Sequence, residues 1–124
     1  MTESMTIWGR AFTLDVVFDC YTGETVLPIQ EEALAKFLET PDLVDSAREA
    51  VEAYCLKTSP EEIPGGKIDN LFRYVIPKEI FVKRQTDQRV IAVMCNYRFN
   101  RENGLAIVFK NEQYAEIGTQ NIVL

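Results

Sequence analysis

Histidine is absent from the sequence, and with it goes the commonest general base and metal ligand. Ser–His and Cys–His nucleophile pairs are excluded on the same ground. Cysteine occurs three times, as Cys20, Cys55 and Cys95. No two stand at the short spacing of a zinc site, and none has a basic neighbour in the chain to activate it. Each lies in an apolar pattern, so all three are expected to be small, inert core residues in a reducing compartment. No apolar run is long enough to span a bilayer. The opening Met1-Thr-Glu-Ser-Met-Thr6 lacks the basic start and apolar stretch of a signal peptide. The expected location is therefore the cytoplasm, away from membranes. A glycine-rich phosphate loop is also missing, because Gly65-Gly66 follow a proline and do not sit between a strand and a helix. Neither a cofactor nor a metal is expected, and catalysis is not.

What is present suits one ordinary domain spanning 1–124, with residues 1–6 expected to be mobile. At 124 residues the chain can bury roughly two thirds of the surface its unfolded form exposes, without disulfide or metal. Net charge is -6, and it is unevenly placed. Residues 1–62 carry thirteen acidic and four basic side chains; residues 63–124 carry six acidic and nine basic. An acidic half beside a mildly basic one argues against a general nucleic-acid binder, which needs a basic face. It suits a basic protein partner, through steering and charge complementarity. The plainer alternative is a solvated helical surface.

Residues 11–20 place Phe12, Leu14, Val16, Phe18 and Cys20 on one face of a period-2 pattern, which predicts a strand with one buried side. Residues 29–39 set Ile29, Ala33, Leu34, Phe37 and Leu38 on a helical stripe. Thr40-Pro41-Asp42 reads as an N-cap, a proline at the first helical position and a favourably placed acid. A second helix should run from there to about Leu56, burying Leu43, Ala47, Ala50, Val51 and Tyr54. Helical pieces near Ser59-Pro-Glu-Glu62 are limited to one turn by Pro64-Gly-Gly66. Residues 68–75 suit a short helix ended by Pro77, with Ile68, Leu71, Phe72 and Val75 inward.

Strands follow at 79–84, 89–99 and 105–110. Both faces of the second are apolar, so it should be central. Asn103-Gly104 closes the hairpin after it, and a last short strand lies at 114–117 or 121–124. The expected fold is α+β: an antiparallel sheet of about four or five strands with two or three helices on one face, in the order β-α-α-(α)-β-β-β.

Two sets of acids are candidate contacts. Asp42, Asp45, Glu49 and Glu52 recur at spacings of three and four, forming an acidic stripe opposed in the helix only by Arg48. Glu31, Glu32 and Glu39 on the preceding helix would widen it. Such a stripe is either a solvated face or a surface read by a basic partner. Asp15, Asp19 and Glu24 form a second set. Asp15 and Asp19 share a strand face but stand roughly 13 Å apart, too far for a glycosidase pair. Either could still meet an acid on a neighbouring strand.

Trp8-Gly-Arg, Phe18-Asp-Cys-Tyr-Thr-Gly-Glu24, Ala53-Tyr-Cys-Leu56, Gly104-Leu-Ala-Ile-Val-Phe-Lys110 and Ile117-Gly-Thr-Gln-Asn-Ile122 resemble a family of small bacterial domains of uncharacterised function. That family looks like the small acidic immunity proteins of polymorphic-toxin neighbourhoods. The resemblance implies a protein that binds and neutralises a cognate toxin domain, and it carries over no site residues. A second expectation is a housekeeping or regulatory interaction module, as a homodimer through Val17, Ala92 and Met94 on the exposed sheet face. A third is an enzyme built on carboxylates, lysine or tyrosine, for which converging perturbed acids in a pocket would be the mark.

Overall fold

Alternation of side chains builds most of the fold. The computed structural model describes residues 1–124. Its strands are β1 (Thr2–Ile7), β2 (Arg10–Phe18), β3 (Val75–Val82), β4 (Val90–Tyr97), β5 (Leu105–Lys110) and β6 (Gln113–Gly118); its helices are α1 (Pro28–Leu38), α2 (Leu43–Ser46) and α3 (Arg48–Thr58). The six strands form one sheet in chain order, β1-β2-β3-β4-β5-β6. All neighbours are antiparallel except β2 and β3, which are parallel. The protein is thus α+β, as expected, but its sheet is mixed and has more strands than expected. The helices between β2 and β3 carry the chain back to its starting end, and such a crossover makes the two strands parallel.

Residues 1–6 are the largest correction. They were expected to be mobile and instead contribute five of the six residues of an edge strand. Met5 and Ile7 face the core while Thr2, Ser4 and Thr6 are exposed, a period-2 pattern written mostly in short polar residues. The hairpin turn is Trp8-Gly9, with φ of 49° and 81°. Two successive positive φ angles suit the right-handed twist of a two-residue loop.

The expected second helix is split at Ala47, which ends α2 and begins α3. Thr40 does not cap it: its hydroxyl donates to the Lys36 carbonyl at 2.9 Å, closing α1 from behind. The expected helix over 68–75 shrinks to a single turn at Leu71–Arg73, capped by the Asn70 side chain. Val75 already belongs to β3, and Pro77 is absorbed by a bulge between Pro77 and Glu79. Of the two candidates for the last strand, the first is the strand; residues 120–122 form a short turn.

All three helices lie on one face of the sheet. Ala33, Leu34, Phe37, Leu43, Val44, Ala47, Val51 and Cys55 pack against Leu14, Val16, Ile80, Val82, Ile91, Val93, Ile107 and Phe109. Gln30 is buried here too, and is fully used. Its amide nitrogen donates to the carbonyls of Asp19 (3.0 Å) and Val82 (3.1 Å), and its oxygen accepts from Leu27 (2.9 Å).

The opposite face holds a second apolar cluster: Phe81, Val90, Ala92, Met94, Ala106, Val108 and Val123. The segment after β6 packs over it. Gln120 donates to the Cys95 carbonyl, and Lys83 donates to the Val123 carbonyl at 2.7 Å. Ala92 and Met94 are therefore buried, and of the three residues expected to form an exposed dimer face only Val17 is exposed. Cys55 and Cys95 are core residues as expected, but Cys20 is half-buried at the surface, with its thiol 3.7 Å from the Arg84 guanidinium. Its position just past β2 removes it from the packed face.

Candidate functional site

Asp42 and Asp45 are the only members of the expected acidic stripe that enter a concavity. They line a groove of about 430 Å³ with Glu3, Ser4, Met5 and Thr6 of β1 and the α1–α2 corner at Leu38 and Pro41. The apolar lining is the half-buried Met5 and Leu38 over the buried Phe37, and three carboxylates, of Glu3, Asp42 and Asp45, accompany it. The groove runs beside the open side of β1, which pairs only with β2. The Val16 amide donates to the Met1 carbonyl at 2.9 Å, which sets the phase of the ladder. Odd residues bond to β2, so the amides and carbonyls of Thr2, Ser4 and Thr6 point toward the open edge. An unpaired edge beside a groove is a template for an added strand.

Asp45 has a second role. Its Oδ1 accepts from the Trp8 amide at 2.6 Å, and the Trp8 indole donates to the Val44 carbonyl at 3.1 Å. A bulky residue at positive φ is strained, and these two bonds hold it. The hairpin is fixed further by Phe72, whose ring lies 5.7 Å from Trp8 and 5.4 Å from Phe12, with the Arg10 guanidinium over Phe12 and Phe72. Asp45 is thus a structural anchor as well as a groove residue.

The remaining expected contacts lie elsewhere. Glu49 is exposed on α3, and Glu52 faces Arg48 at 3.9 Å. Glu32 on α1 is 3.8 Å from Arg89, which also forms a two-pronged pair with Glu112 at 2.8 Å. The guanidinium holds the Glu112 carboxyl below its usual range. Asp19 and Glu24 are absorbed by Arg84. The Asp19 carboxylate accepts from the Arg84 amide at 3.1 Å; Glu24 lies 3.4 Å from the guanidinium and also accepts from the Tyr21 amide. These bonds tie the loop after β2 to the end of β3, which accounts for both acids structurally.

Asp15 does meet an acid on the next strand. It pairs in register with Glu79 on the outer face. Burial, and then Asp15, raise the Glu79 carboxyl above its usual range. Neither residue lines any of the three grooves in the molecule, so the pair has no substrate-sized space beside it. Burial pushes the Cys55 thiol up to about 11 and raises Cys95 as well, which keeps both protonated.

A second concavity is basic. Arg73, Arg98 and Arg101 converge on a groove of about 480 Å³ at the start of β3 and the end of β4. The three are scattered in the chain, and the antiparallel pairing of the start of β3 with the end of β4, together with the β4–β5 turn, brings them together. Their excess in the second half of the sequence was the one available signal.

No curated protein and no solved structure matches the chain. A family model described as a domain of unknown function (DUF6985) matches residues 2–124, and the chain belongs to that family.

Proposed function

We propose that this chain is a non-catalytic protein-binding domain of immunity type, which binds and neutralises a basic bacterial toxin domain. The observation that carries the reading is the acidic groove along the open edge of β1. An extended basic segment would add to β1 through the backbone groups of Thr2, Ser4 and Thr6. Its apolar side chains would reach the half-buried Met5 and Leu38, and its lysines or arginines would meet Glu3 and Asp42. Backbone pairing supplies affinity and the rim charges supply register and on-rate. Glu3 and Asp42 are the rim acids free to serve a partner, whereas Asp45, Asp19 and Glu24 are already engaged within the fold. The test is co-expression with the C-terminal domain of a toxin encoded beside it. Growth rescue by wild type and its loss in Glu3→Lys/Asp42→Lys, both on the groove rim, supports the reading; no rescue by wild type refutes it.

The free edge also favours a second reading: a housekeeping or regulatory interaction module in which β1 pairs with β1 of a second copy. Sedimentation across a wide concentration range separates the two, because only this reading requires a dimer of the protein alone.

A further inference from the structure

The arginine groove is independent of the β1 edge and of any toxin. Arg73, Arg98 and Arg101 are all exposed and line one concavity with Ile76 and Asn96. None of the three takes part in an ion pair; the protein's salt bridges use Arg48, Arg84 and Arg89. No carboxylate lines the groove. Three like charges converging without a counter-charge repel one another, in a chain whose net charge is -6.

The groove is also pre-shaped. The Arg98 amide donates to the Tyr74 carbonyl at 2.8 Å, which fixes the end of β4 against the start of β3. Arg73 sits on a turn capped by Asn70. The loop carrying Arg101 is pinned by bonds from Gly104 to the Asn100 carbonyl (2.8 Å) and from Asn103 to the Asn100 side chain (3.2 Å). Beneath it, Phe99 packs on Tyr74 and Tyr97 at 5.2 and 5.7 Å. The Tyr97 hydroxyl is already engaged with Thr58 and Ser59. The charged donors in the groove are the three guanidiniums, with the Asn96 amide beside them.

We propose that this groove binds a small organic polyanion carrying at least two phosphate or carboxylate groups. Guanidiniums match both groups with paired N–H donors. A concavity of about 480 Å³ is of the size of small-molecule sites and leaves room for an organic body beside Ile76. The confinement of the basic lining to three arginines and the acidic net charge of the chain favour a small ligand over a nucleic acid, which needs an extended basic track.

The test is calorimetric titration of the full chain with ADP and, separately, citrate, at constant ionic strength near ~150 mM to remove general screening effects. Saturable one-to-one binding in the sub-millimolar range by either supports the proposal, and the stronger of the two identifies the anionic group. Arg98→Gln and Arg101→Gln should each weaken binding about tenfold, while unfolding at the wild-type temperature because both side chains are exposed. The proposal is overturned if neither compound binds at millimolar concentration, or if the two variants bind as wild type does. It is also overturned if a single-stranded oligonucleotide or a poly-glutamate peptide binds through these arginines and the small anions do not.

Discussion

Removing the Asp45 carboxylate should destabilise the fold far more than removing Asp42, although both are exposed acids on the same helical corner. Asp45 accepts a short bond from the amide of Trp8, a residue at φ 49°. A hydrogen bond to a charged group contributes about 1.5–3 kcal/mol. This one is only partly buried, so solvent screening places it near the lower end, about 1.5–2 kcal/mol. At roughly 4 °C per kcal/mol for a chain of this size, Asp45→Ala should lower Tm by about 6–8 °C. Asp45→Asn keeps an oxygen acceptor and should lose about half as much. Asp42 makes no side-chain bond as the residue before α2, and Asp42→Ala should fall within about 0.5 kcal/mol of wild type. Thermal and urea unfolding of the three variants gives the comparison, and hydrogen exchange at the Trp8 amide should quicken in Asp45→Ala alone. Equal stability of Asp45→Ala and Asp42→Ala would refute the anchoring role.

Further outcomes follow from other parts of the molecule. Glu79 has its folded-state pKa raised by burial and Asp15, so the stability it contributes is present at low pH and is lost as pH rises through that pKa. Glu79→Gln should therefore be more stable than wild type at neutral pH, with the difference closing on acidification, as unfolding at several pH values will show. Glu112 has the opposite sign: Arg89 lowers its pKa, so its contribution is present at neutral pH and lost on acidification, and Glu112→Gln should narrow the gap between neutral and acid stability. A Cβ at Gly104, where φ is +59°, would stand 2.5 Å from the Gln120 side chain and 2.7 Å from the Cys95 carbonyl. Gly104→Ala should cost about 2 kcal/mol or more, from positive-φ strain and the displaced Gln120 bond, measured by urea unfolding. A thiol reagent should label Cys20 in the native protein and reach the buried Cys55 and Cys95 only after unfolding.

Much of the architecture was legible because its signals are local. The inward set of β2, the stripe of α1 and the doubly apolar β4 each appear as a period in the chain, and β4 does lie inside the sheet. What stayed hidden depends on distant partners. β1 alternates in polar residues, and its burial comes from a hairpin held by Asp45, 37 positions away from Trp8. Pro77 argued for a boundary, but a bulge lets the strand continue. Asp19 and Glu24 resemble free surface acids until Arg84 is placed beside them. Ala92 and Met94 resemble an exposed patch until residues 120–123 fold over that face. The acidic stripe was legible as a pattern, whereas its division into anchor, groove rim and solvated acid required coordinates.

The most direct test of the proposed protein binding is amide hydrogen exchange of the chain, alone and with a purified candidate partner, the C-terminal domain of any toxin-like protein encoded beside it. The account predicts a saturable complex in which the outward amides of Thr2, Ser4 and Thr6 exchange more slowly, with protection extending to the α1–α2 corner. A complex that leaves these amides unchanged and protects the outer sheet face or the arginine groove would contradict the proposed site, and the absence of any complex would contradict the proposed function.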